Sequence, residues 1–181
     1  SFYPTVFTKN AAYATVLENG VQSIYRIQRN AQSWQVEQVL GAEKDVARLV
    51  SGDPAGSATF ATVESALKPP TLLQILNGDV VKEQSKGHKF FDTETLQVDR
   101  FTATSSDGMS IPYWRISKLP GSTDSDTVQP TILYGYGASN FATLPRYNAD
   151  VGRLWLNKGG AYVIAQIRGG GEYGPNWYNA G

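Results

Sequence analysis

Tyr134-Gly135-Tyr136-Gly137 closes an apolar run with two phenols flanking a glycine. A phenol held at a strand end can donate a hydrogen bond to a developing oxyanion. The glycines permit a sharp turn that exposes one hydroxyl. A structural tyrosine with a satisfied hydroxyl is the commoner fate of such a residue. Overlapping this stretch, Gly137-Ala138-Ser139-Asn140-Phe141 falls one residue short of the G-x-S-x-G elbow that presents a serine nucleophile. The elbow needs a small last residue where strand and helix cross, and Phe141 is large; Pro145 then interrupts any helix. A serine nucleophile also needs a base. The one histidine, His88, precedes Ser139 within a polar stretch and reads as solvated.

Gly169–Gly174 matches G-x-G-x-x-G directly after an apolar run, the spacing of a dinucleotide cradle. Glu172 would bring negative charge to the phosphates, and Pro175 follows at once. No ribose-binding acid about 20 residues further on falls within this sequence. A glycine turn that lets strand and loop pack closely is the favoured reading. Asp124 and Asp126 form a carboxylate pair by type, in a loop that offers them no partners.

The elements that must position these residues fall into two kinds. Ala12–Glu18 and Val21–Gln28 flank Asn19-Gly20 and predict a two-residue hairpin. Gln32–Leu40, Ala47–Ser51, Ser57–Glu64 and Thr71–Leu76 add short strands between turn signals. Such a series predicts antiparallel β structure, a sandwich or propeller blades. Val80–Asp92 is polar and basic in its middle and reads as a linker, which places a domain boundary near residue 90. Leu96–Ala103 and Met109–Ile116 then flank the turn Ser105-Ser106-Asp107-Gly108. After a Pro/Gly/Ser/Asp-rich loop the pattern becomes strand (Pro130–Tyr134), helix (Asp150–Lys158, with Val151, Leu154 and Trp155 on one stripe) and strand (Ala161–Ile167). That order predicts a βαβ unit. In open sheets of this kind, chemistry collects past the carboxyl ends of the strands.

Composition narrows the functions. Lys+Arg and Asp+Glu are both 16, so no net charge argues for nucleic acid or an anionic membrane. With no cysteine, thiolate nucleophiles, disulfides and Cys-based zinc sites are excluded. No apolar run approaches the roughly 18 residues of a membrane-spanning helix. No cofactor is expected.

YGYG at 134–137 followed by IRGGGEYG at 167–174 resembles the prolyl oligopeptidase family of serine peptidases. The intervening RLWLNKGGAYVIAQ (153–166) fits the same region. FTATSSDGMSIPYWRI (101–116) looks like the first hairpin of that family's hydrolase domain. YATVLENGVQSIYRIQ (13–28) and TVESALKPPTLL (62–73) look like its last propeller strands. The resemblance implies a mixed fold: terminal antiparallel β-propeller strands over residues 1–90, then the N-terminal part of an α/β-hydrolase domain over 91–181, both partial. It implies cleavage of short peptides after proline by a Ser/His/Asp triad. In the family all three triad residues follow the GGGEYG turn, so these 181 residues alone are expected to be inactive and to leave a sheet edge unpaired.

Tyr136 then corresponds to one of the family's two oxyanion donors. The family often carries Gly-Gly-Phe after this tyrosine, with the Phe lining the proline pocket. Here Ser139 stands in that place, and Phe141 could substitute only if the loop is displaced. Strict proline preference therefore does not follow from this loop. The implied partners are a short peptide substrate and the remainder of propeller and hydrolase domain, with neither nucleic acid nor membrane. Three other readings stand beside it. One is a non-catalytic β-rich binding or scaffold module. Another is a nucleotide-binding domain built on Gly169–Gly174. The last is an oligopeptidase B-like peptidase cleaving after basic residues, a branch that more often has Leu where Tyr173 stands.

Overall fold

A computed structural model describes residues 4–121 and 128–181. Asp124 and Asp126 lie outside the described residues. The chain divides into two compact units, Ser1–Ser65 with Pro69–Gly87, and Ala66–Lys68 with His88–Gly181.

The first unit holds β1 (Thr5–Phe7), β2 (Ala12–Glu18), β3 (Val21–Arg29), β4 (Trp34–Leu40), β5 (Val46–Gly52), β6 (Ala58–Ser65), β7 (Lys68–Leu76) and β8 (Asp79–Lys86). They run β1-β2-β3-β5-β6-β7-β8, with β4 on β3. These are two antiparallel meanders, β1 to β4 and β5 to β8, joined through a single parallel register pair, Gln22↔Val46. The joint is reinforced where buried Gln22 donates through Nε2 to the Ala47 carbonyl at 2.7 Å. Tyr13, Ile24, Ala47, Leu49, Ala61 and Ile75, drawn from both meanders, form one core. Asn19-Gly20 turns the first hairpin with φ of 51° and 73°, both positive, as a type I′ turn requires.

Asp79–Lys86 is a strand where the sequence pattern predicts linker. All eight of its residues are exposed, so no apolar alternation marks it. It is held by its antiparallel ladder to β7, and Asn77-Gly78 fixes the hairpin with positive φ at both positions. Backbone pairing, which composition does not report, decides this strand. β1 escapes notice for a similar reason: three residues are too short to show a period.

In the second unit, β9 (Leu96–Thr104) and β10 (Ser110–Lys118) form the expected hairpin. β11 (Thr131–Gly135), α1 (Ala149–Leu154) and β12 (Ala161–Ala165) form the expected strand–helix–strand series, with β11 and β12 parallel. The sheet runs β11-β12-β10-β9, so β11 is an edge strand and all five of its residues are exposed. Central β12 buries Ala161 and Ile164 but leaves Tyr162, Val163 and Ala165 half-buried, short of the two-sided burial its composition suggests. Trp114, Ile116, Val98, Leu96, Phe91 and Leu156 are the heart of the core.

The helix is shorter than its pattern. Asn148 caps it, its side-chain oxygen accepting from the amides of Asp150 and Val151. Regular helix stops at Leu154, and a 3-10 turn, Leu156–Lys158, follows. That break changes the phase: Leu154 faces solvent at 65% exposure, whereas Leu156 is buried. Gly159 ends the turn at φ 91°, in the left-handed region. A short helix, α2 (Pro175–Asn179), closes the described chain. No described helix is long and apolar enough to cross a membrane.

Candidate active site

The parallel pair β11 and β12 ends in register at Gly135↔Ala165, and each strand runs straight into a glycine-rich turn. The two turns pack against each other. A Cβ on Gly137 would collide with the Arg168 carbonyl oxygen, and one on Gly169 with that of Gly137. A Cβ on Gly171 would meet the Asn140 carbonyl. Gly169 and Gly171 are therefore consumed by chain-on-chain packing, Gly170 makes room for the Glu172 carboxyl, and Gly174 faces open space at φ 82°. Glu172 points inward rather than toward a ligand and is 1% exposed.

In the first turn, Tyr136 lies just beyond the end of β11, its side chain exposed. The chain then reverses over Ala138–Phe141, closed by Phe141 N–H donating to the Ala138 carbonyl at 3.1 Å. Its central residues, Ser139 and Asn140, have φ of 58° and 53°. Positive φ is uncommon for residues other than glycine. The reversal brings Phe141 back onto Tyr136: the rings meet edge to face, 6.0 Å between centroids and 88° between planes. Tyr134, one strand period earlier, instead stacks on Tyr162 at 6.5 Å. The two phenols of YGYG are thus separated by the end of the strand. Gly137, Ala138 and Ser139 line a shallow cavity of about 350 Å³ with Gly169, Tyr178 and Asn179.

The second turn is anchored from below. Glu172 Oε1 accepts from the Thr143 amide at 2.6 Å. Gln166, fully buried, donates through Nε2 to the Thr143 carbonyl at 3.1 Å and accepts from the Tyr173 hydroxyl at 2.6 Å. Arg100 Nη2 on β9 in turn donates to that hydroxyl at 3.0 Å. Burial raises the Glu172 carboxyl above its ordinary pKa, against the lowering effect of the Thr143 amide and its own backbone N–H. Burial likewise raises the Tyr173 phenol, opposed by Arg100. At the mouth of the turn, Arg168 pairs with Asp107 in the β9–β10 turn and donates to Ser105 Oγ at 3.3 Å. Hydrogen bonds from Arg168, Met109 N–H and Ser105 bring the Asp107 pKa down to about 2.

Tyr136 and Phe141 are therefore brought together, and Ser139 sits at the apex between them. His88 is exposed, its ring edge-on to Phe90 at 4.7 Å. The sequence pattern alone misses Gln166, Glu172 and Arg168 as loop anchors. The available signal was an acid set within the glycine turn that follows β12.

No family model matches the chain. An uncharacterized peptidase of Sinorhizobium fredii is 36% identical over 98% of the chain and 24% of its own length. A prolyl endopeptidase of Elizabethkingia meningoseptica is 29% identical over 93% of the chain and 23% of its own length. Among solved structures, a post-proline cleaving enzyme from Rickettsia typhi superposes with a TM-score of 0.80 at 25% identity, over 97% of this chain and 25% of that one. The chain spans about a quarter of the length of the relatives it matches. These two relatives and the solved structure are peptidases, and nearly the whole of the chain matches each. Within that class, the chain belongs to the prolyl oligopeptidase family, of whose members it matches one segment.

Proposed function

We propose that this chain is part of a serine-type oligopeptidase that cleaves short peptides after proline, and that it supplies one half of the active site. In this reading Tyr136 Oη donates to the oxyanion of the tetrahedral intermediate. Phe141 and Ser139 wall the pocket for the residue before the cleaved bond. The two meanders within residues 1–90 are terminal propeller blades, and residues 91–181 begin an α/β-hydrolase domain. The nucleophile, its base and the orienting acid are none of these 181 residues.

The carrying observation is the placement of Tyr136. An exposed phenol stands just past the carboxyl end of a parallel strand, its ring held edge-on by Phe141. That is where open sheets of this type do chemistry. A donor already in place costs little reorganisation when charge develops. Loss of one such donor costs about 100- to 1000-fold in kcat.

The test is Tyr136→Phe in the native protein, assayed on a chromogenic peptide with proline before the leaving group. The expected result is a loss of that size in kcat with little change in KM. Undiminished kcat would remove Tyr136 from the site. A parallel assay with arginine in place of proline decides between post-proline and post-basic cleavage. Residues 1–181 alone are expected to take up no fluorophosphonate label, and stoichiometric labelling would overturn that part of the proposal.

A further inference from the structure

Residues 136–148, which carry Tyr136, Ser139 and Phe141, contain no helix or strand. A stretch without a backbone ladder takes its position from whatever side chains hold its peptide groups. Here two buried side chains do so at one residue. Glu172 accepts the N–H entering Thr143, and Gln166 donates to the C=O leaving it. Both bonds come from the stretch that follows β12. A third bond, Gly171 N–H to the Phe141 carbonyl at 3.2 Å, runs the same way. The successive peptide planes on either side of Thr143 are thereby fixed against the second turn. Phe141, two residues earlier, inherits that position and passes it to the Tyr136 ring it meets.

The choice of groups argues for more than packing. A buried carboxyl is expensive, and an apolar side chain of similar volume would fill the space at lower cost. Glu172 retains one oxygen, Oε2, with no hydrogen-bond partner among the described residues. What the carboxyl supplies in return is an acceptor aimed at one particular amide. Gln166 is itself oriented, because the Tyr173 hydroxyl and behind it Arg100 engage its other end.

We infer that Glu172 and Gln166 are positioning residues: by gripping Thr143 from both sides they set the Phe141–Tyr136 contact and so aim the Tyr136 hydroxyl. This rests on the reading of Tyr136 as oxyanion donor. The clamp itself stands on the geometry of the second unit alone. Gln in place of Glu172 keeps an acceptor oxygen for the Thr143 amide, whereas Ala removes it.

The experiment uses the native full-length protein with the variants Glu172→Ala, Glu172→Gln, Tyr136→Phe and the Ala/Phe double variant. Steady-state kinetics on the proline peptide are combined with hydrogen exchange over residues 138–144. Glu172→Ala is expected to lower kcat on the order of 100-fold, the scale of a misplaced catalytic group, with KM changed far less. Exchange at 138–144 quickens, and Glu172→Gln recovers most of both. Because the clamp acts through Tyr136, the double variant should be hardly slower than Tyr136→Phe alone. Losses that multiply, or a Glu172→Ala protein with undiminished kcat and unchanged exchange, overturn the inference. If Tyr136→Phe leaves kcat intact, the oxyanion reading fails, and the clamp is then judged on exchange alone. Quickening confined to 138–144 upholds it, and no quickening removes it. Should Glu172→Ala not fold, Gln166→Met removes the other bond at similar volume, with the same expectations.

Discussion

The two glycine-rich turns look alike in sequence and do opposite things. Gly135–Phe141 reverses the chain through the positive φ of Ser139 and Asn140, keeps Gly137 for the close approach of Arg168, and sends Tyr136, Ser139 and Phe141 outward. Gly169–Gly174 spends two glycines, Gly169 and Gly171, on making room for the first turn, and it sends Glu172 inward. One turns side chains to solvent and the other buries an acid. Gly-rich composition marks a place where backbone must come close to something, but it does not say whether that something is a ligand or the chain itself.

The contrast can be broken most forcefully at Gly169. Its φ of 87° and the Gly137 carbonyl against its Cβ position leave no room for alanine. Gly169→Ala is expected to cost roughly 3 kcal/mol, the sum of a left-handed alanine and overpacking, read as a fall in the thermal midpoint. Gly108→Ala is the control. It has nearly the same φ, 85°, and open space around the added methyl, and should cost only about 1 kcal/mol. Equal losses at the two sites would mean that close approach of the turns contributes nothing.

Removing the anchor comes next. Glu172→Ala leaves the Thr143 amide without its acceptor and should destabilise by about 2 kcal/mol, measured as a shift in the denaturant midpoint. Stability equal to the parent would show that water replaces the carboxylate at no cost.

Acidity separates the inward anchor from the outward pair at Asp107. The folded pKa of Glu172 is raised above its ordinary 4.5, so its contribution is fully present below that value and is lost as pH rises through the folded value. Glu172→Gln should therefore gain stability relative to the parent as pH climbs from 4 to 8. A constant difference across that range would contradict the buried position of the carboxyl. Asp107 has the opposite sign. Its pKa is depressed from 3.8 to about 2, so its contribution is present above 3.8 and lost as pH falls through about 2. Asp107→Asn should produce the smallest effect of the series, visible only above that acid range and reduced by salt, because the pair is solvent-exposed. A salt-independent loss as large as that of Glu172→Ala would place the pair with the buried anchors.

Much of the architecture was legible because it is local. The turn signals Asn19-Gly20 and Ser105–Gly108 located the β2–β3 and β9–β10 hairpins, since turn chemistry is a property of a few adjacent residues. The strand–helix–strand order before the second glycine turn was equally plain. β8 was not, because a strand exposed along its whole length carries no pattern and exists only through its partner. The inward face of the helix was misjudged for a related reason: a phase break at Trp155 exchanges Leu154 for Leu156, and three apolar residues cannot announce where a six-residue helix will stop.

For the candidate site, the sequence by itself determined the types: phenols at a strand end, glycines where backbone must approach, and an acid in the second turn. The tertiary structure alone decided that Tyr134 stacks on Tyr162 while Phe141 returns to Tyr136, and that Glu172 and Gln166 converge on Thr143. The paired residues stand 23 and 29 positions apart along the chain. Contacts at that separation follow from two parallel strands ending side by side, a relation that no local spacing encodes.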